Sequence, residues 1–113
     1  MENKPINYAH FEAVEIRVGK VVLVEDFPEA RVPAYRMIVD FGPLGHKKTS
    51  AQITDLYTKD DLLGRLVLAV YNLTPKQIGK FVSEVLVLGV VPEDQRVVLI
   101  GPDRDTPLGL RIL

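Results

Sequence analysis

The chain has 113 residues, the size of one ordinary domain, and its 47% hydrophobic and 26% charged residues give the profile of a folded globule. Fourteen Lys and Arg against fifteen Asp and Glu leave a formal net charge of −1, so the basic excess that phosphate neutralisation demands of a nucleic-acid domain would have to be local. The absence of cysteine excludes disulfides, thiolate nucleophiles and Cys-ligated zinc.

No apolar run approaches the roughly 20 residues of a membrane helix. The opening MENKPINYAHFEAVE carries acidic residues where a signal peptide would be continuously apolar. A cytoplasmic protein with no membrane insertion is therefore expected. There is no internal repeat or low-complexity tract, and Gly and Pro recur along the chain as punctuation between short strands.

In chain order, Ile6, Tyr8 and Phe11 fall at helical spacing within residues 5–13 and predict a short N-terminal helix. EIRVGKVVLVEDF (15–27) reads as a strand with Ile16, Val18, Val22 and Val24 on one face. Gly19 interrupts it as at a bulge or a barrel bend where a side chain has no room. After a loop bounded by Pro28 and Pro33, residues 34–41 form a strand in which Met37, Val39 and Phe41 alternate with Arg36, Ile38 and Asp40. Gly42 to Gly45 turns the chain, and HKKTSAQI (46–53) pairs back, its lysines reading as protection of a sheet edge. Thr58 precedes Lys59 as an N-cap, with Asp60 and Asp61 in the first turn and Gly64 as the stop signal of a short helix. RLVLAVYNL (65–73) and, after a polar turn, VSEVLVLGVV (82–91) read as strands, and RVVLIG and LGLRIL close the chain. The order predicts an all-β protein: a five-stranded OB-fold barrel with short helices and extra N- and C-terminal segments, in a single domain spanning 1–113. A split sandwich fits the same pattern.

Two stretches go beyond pattern. EIRVGKVV (15–22) with NLTPKQIGKFVSEVLVLG (72–89) resembles the OB-fold tRNA-binding family, found as appended domains of some aminoacyl-tRNA synthetases and as small free-standing dimers. FPEARVPAYRMIVDFG (27–42), TSAQIT (49–54) and PKQIGKFVSEVLVLG (75–89) resemble its CsaA branch, regarded as chaperones for protein export. The resemblance runs from about Phe11 to Leu113. In the tRNA-binding pattern an Asn-Leu-x-Pro turn leads to an Arg-Gly pair, then Ser, then Gly-Met. Asn72, Leu73, Pro75 and Ser83 fit it, whereas Gly79 and Lys80 stand at the Arg-Gly positions and Val85 and Leu86 at the Gly-Met positions. Val85 removes the close backbone approach that glycine would allow, and a guanidinium suited to bidentate phosphate recognition is missing. Both changes favour an apolar ligand.

The resemblance implies an ATP-independent, export-related chaperone that binds exposed segments of unfolded preproteins and peptides in an apolar pocket. Asn72, Gln77, Ser83 and Gln52 would supply amides and a hydroxyl at its rim, and Lys76 and Arg36 would attract carboxylates. The alternative is a tRNA-binding protein acting in trans. Each residue also has a plainer reading: Asn72 as a turn residue, Ser83 as a strand start, and Lys76, Lys80, Arg17, Arg31 and Arg36 as solvated charges. Tyr35, Phe41 and Phe81 read as core or interface rather than base-stacking platforms. His10 and His46 lie far apart without ligand spacing, and no paired-carboxylate or phosphate-loop motif occurs, so no enzyme, metal or cofactor is expected. LGLRIL is apolar to its last residue, which predicts a homodimer whose two pockets engage one long client together.

Overall fold

In the computed structural model, which describes residues 3–113, alternation of apolar and polar residues builds a five-stranded antiparallel sheet. Its strands are β1 (Ile16–Asp26), β2 (Tyr35–Asp40), β3 (His46–Ala51), β4 (Leu66–Val70) and β7 (Leu86–Val87), in the order β3-β2-β1-β4-β7. Between β4 and β7 lies a hairpin of β5 (Lys76–Ile78) and β6 (Phe81–Ser83); β8 (Gly89–Val90) pairs with β9 (Val98–Leu99). The two ends of the large sheet meet around Lys48. The Glu84 N–H donates to the Lys48 carbonyl at 2.7 Å, the Lys48 N–H to Glu84 Oε1 at 2.9 Å, and Thr49 Oγ1 to the Val85 carbonyl at 2.8 Å. The result is the nearly closed, OB-like barrel that the element order predicts.

The inward row of β2 is the one expected: Tyr35, Met37 and Val39, continued by Phe41, are buried against Val21, Leu62, Val67 and Ala69. Thr49 is fully buried with them, its hydroxyl satisfied by the Val85 carbonyl. β1 departs from its expected face. The pairing of β1 with β2 shifts register between Val21 and Leu23, so Val21 turns into the core and Val22 out to solvent. Gly19 is the close-approach site rather than the bulge: a Cβ there would overlap Val39 Cγ1 and lie 2.9 Å from Phe41 Cε1.

The N-terminal helix α1 (Tyr8–Glu12) is shorter than the 5–13 stretch, capped by Asn7 Oδ1 accepting the His10 N–H. Thr58 caps α2 (Lys59–Leu62) as expected, with a reciprocal bond from the Thr58 N–H to Asp61. The run 82–91 is not one strand. The chain bends at Val85, because residues 83–85 are drawn onto the edge of β3 before β7 returns to β4. LGLRIL likewise forms a single bridge, Arg17 to Arg111, with main-chain bonds to Ile16 and Val18. No helix among the described residues is long and apolar enough to cross a membrane.

Candidate binding cleft at the barrel seam

The seam that closes at Lys48 opens again a few residues on. Beyond Ser50, whose N–H donates to Ser83 Oγ at 3.0 Å, β3 ends and the chain leaves the sheet at Gln52, while past the Val85 bend β7 swings toward β4. The gap between them is a cleft of about 470 Å³, walled on its third side by the β5–β6 hairpin. Its floor is apolar, with Ile53 and Val85 buried and Ile78, Val87 and Val97 half-buried, and the apolar surface continues outward onto exposed Leu73, Leu86 and Val91.

The polar groups are few and of distinct kinds. Gln52 presents an exposed primary amide beside β3, Lys76 carries the positive charge of the lining, and Ser83 holds its hydroxyl between the Ser50 N–H and Thr49 Oγ1. Glu84 supplies a carboxylate, one oxygen of which is already bonded by the Lys48 N–H. A concave apolar surface with a small set of donors and acceptors is the composition of an organic-ligand or peptide site. Among the described residues no group of three or more His, Asp or Glu side chains is placed to hold a metal ion.

Of the six residues expected at the rim, the structure brings Lys76, Ser83 and Gln52 together and places Asn72, Gln77 and Arg36 elsewhere. Asn72 is a clamp: its Oδ1 accepts the Glu15 N–H and its Nδ2 donates to the Ala13 carbonyl, both at 2.9 Å, tying the segment after α1 to the end of β4. Gln77 alternates with Lys76 and Ile78 along β5 and so lies on the opposite face, donating from Nε2 to the Gly79 carbonyl at 3.0 Å. Arg36 sits on β2 with its guanidinium 5.3 Å from the Phe27 ring centre and 3.9 Å from the Glu25 and Glu29 carboxylates. Tyr35 and Phe41 are in the core, and Phe81 packs on Phe27 with ring centres 5.4 Å apart. The cleft residues not foreseen are Ile53 and Leu73 on the apolar side, together with Glu84; Val85 and Leu86, which stand at the Gly-Met positions, line it as the apolar reading expected. Leu73 was the available signal, being the large apolar residue of the Asn-Leu-x-Pro turn, which the structure places beyond the end of β4.

Fold and cleft together define a small OB-like barrel with an open apolar cleft at its seam. The chain belongs to the family described as "Putative tRNA binding domain", which matches residues 16–111. Within it, the chain is similar to the chaperone CsaA from Bacillus anthracis str. Ames, at 47% identity and a TM-score of 0.93 over 97% of this chain and 100% of that one. It is also similar to the CsaA chaperone protein from Picrophilus torridus, at 46% identity and a TM-score of 0.89 over 96% of this chain and 100% of that one. The resemblance carried by residues 15–22, 27–42 and 72–89 thus extends over nearly the whole fold. A third relative is the methionine–tRNA ligase of Thermococcus onnurineus (strain NA1), 35% identical over 98% of this chain but only 15% of that protein. The chain therefore spans about a seventh of the length of that ligase.

Proposed function

We propose that the chain is an export-related chaperone of the cytoplasm, that it holds exposed segments of unfolded preproteins in the seam cleft without ATP, and that it is not an enzyme. The cleft is the observation that carries this reading. An unfolded chain presents apolar side chains and unpaired main-chain groups at once. Covering the former is worth about 25 cal/mol per Å² of apolar surface removed from water, while the latter need partners that an all-apolar wall lacks. Ile53, Val85 and Leu86 meet the first need, and Gln52, Lys76 and Ser83 meet the second. Recognition by such generic groups selects for unfoldedness rather than for one sequence. Similarity to two CsaA chaperones across almost the whole chain supports the same reading. The proposal includes a homodimer formed through the end segments.

A tRNA-binding role in trans is the second reading, favoured by the family match and by the methionine–tRNA ligase relative. The two are separated by titrating the protein, side by side, with a chemically unfolded preprotein and with bulk tRNA at low and at physiological salt. Preprotein capture should be the tighter and change little with salt, whereas phosphate-driven binding falls steeply as counterions compete. Tight, strongly salt-dependent tRNA binding with no preprotein capture would reverse the order of the two readings.

A further inference from the structure

Among the described residues, the outer edge of the hairpin beside the cleft has no partner strand. Among the same residues β5 pairs with β6 alone, Lys76 opposite Ser83, Gln77 opposite Val82 and Ile78 opposite Phe81, in a two-stranded sheet. The hairpin closes over the two residues Gly79 and Lys80, with Gly79 at φ 61° and Lys80 outside the positive-φ region, the combination of a tight II′ turn. In such a hairpin the pair flanking the turn, Ile78 and Phe81, exchanges the hydrogen bonds, and the next pair does not. The N–H and C=O of Gln77 are therefore aimed away from β6, across the open edge. The side chains follow the same period of two: Lys76 and Ile78 line the cleft, and Gln77 lies on the far face with its amide bonded to the Gly79 carbonyl.

An exposed strand edge that borders an apolar cleft on one face has the two elements that strand addition requires, a main-chain template and a side-chain pocket in step with it. We infer that the client is captured as an added β-strand along β5. Its main chain pairs with that of Gln77, and its alternate side chains descend beside Ile78 into the cleft toward Leu73, Leu86 and Val91. This rests on the chaperone reading of the cleft and specifies the client. It is an extended segment with apolar residues at every second position, no proline where the main chain pairs, and tolerance for a carboxylate beside Lys76. Affinity then comes from main-chain bonds that every peptide offers, and selectivity from extended conformation and alternation.

The test leaves the protein unaltered. A capped, fluorescently labelled peptide in which leucine alternates with serine is titrated by anisotropy, alongside versions N-methylated at every leucine or at every serine. Only alternate residues of an added strand face β5, so one series should lose affinity about tenfold or more and the other less than about threefold. Amide exchange at Gln77, fast in the free protein, should slow about tenfold or more in the complex, as a newly bonded N–H does. Equal losses in the two methylated series, or no protection of Gln77, overturn strand addition while leaving the chaperone reading intact, because the parent peptide still binds. Protection of Gln77 before any peptide is added also overturns it, by showing the edge already covered by a second copy. Failure of the parent peptide to bind removes both readings.

Discussion

Asn72 and Leu73 are neighbours in sequence with different duties. Both ends of the Asn72 amide are engaged by main-chain groups 57 and 59 residues away in sequence, at an exposed site. Asn72→Ala should cost about 1–2 kcal/mol, two exposed hydrogen bonds' worth, since water can replace the lost partners. Peptide capture should be unchanged. Leu73 lies in the cleft wall with its side chain in solvent, so Leu73→Asp should alter stability by no more than about 0.5 kcal/mol yet weaken peptide binding about tenfold by placing a hydrated charge on the apolar wall. Urea denaturation and an anisotropy titration of both variants decide the assignment; loss of binding in Asn72→Ala at full stability would return that residue to the rim. Sequence alone could not make the distinction. An Asn before Leu-x-Pro has the same letters whether it binds a ligand or the chain's own backbone, and its partners at Ala13 and Glu15 are adjacent only once β1 and β4 have paired. Ser83 was legible because a polar side chain flanking a strongly apolar run must face either solvent or a lip, and it lines the cleft; Lys76 and Gln52 came from the family resemblance, and the fold brings them to the same cleft.

The elements themselves divide by how locally they are determined. β2, the Gly42–Gly45 turn and α2 follow from neighbours a few residues apart, and each appears where alternation or capping chemistry puts it. The β5–β6 hairpin was not legible as a hairpin, because each of its strands is three residues long and its only turn signal is the single glycine Gly79. The split of VSEVLVLGVV at Val85 is a tertiary decision, made by the edge of β3, against a local composition that favours one continuous strand. α2 offers a test at this scale. The Asp61 carboxyl is held below its ordinary pKa of 3.8, first by the Thr58 N–H and then by the Thr58 hydroxyl. A depressed folded value means that the cap's stabilisation is fully present above the ordinary carboxylate pKa and is lost as pH falls through the lower folded one. Asp61→Asn should therefore flatten the acid limb of the stability–pH curve relative to the wild type, and Thr58→Ala should cost about 1 kcal/mol at neutral pH. Thermal unfolding from neutral pH down to about pH 2 reads both, and an acid limb unaltered in Asp61→Asn would show that the capping box contributes nothing to acid stability.

At the scale of the whole molecule, barrel closure brings the two ends of the sequence together and leaves apolar surface on them. The Ile112 N–H donates to the Ile16 carbonyl, the Val18 N–H donates to the Leu110 carbonyl, and the Arg111 guanidinium donates to the Glu12 carbonyl, so the C-terminal segment lies along β1 beside the end of α1. On these two segments Ile6, Tyr8 and Leu110 are 68%, 61% and 52% exposed, apolar side chains that a second copy would cover. The barrel class was legible because closure needs only strands that alternate in the right order; the exposed apolar residues of the end segments were legible only in part, since LGLRIL reads as apolar whichever of its side chains the fold buries. The expected outcome is a species of twice 12.6 kDa in sedimentation at micromolar concentration, with a melting temperature that rises with protein concentration, as mass action requires of a folded dimer. Tyr8→Asp combined with Leu110→Asp should sediment as a single chain. The double variant should bind one short peptide as the wild type does, because both residues lie outside the cleft. It should lose the extra affinity for a long client carrying two apolar segments, which depends on two clefts held at a fixed separation. A wild-type chain that stays at single-chain mass under these conditions, with a melting temperature independent of concentration, would eliminate the dimer and leave each cleft to act alone.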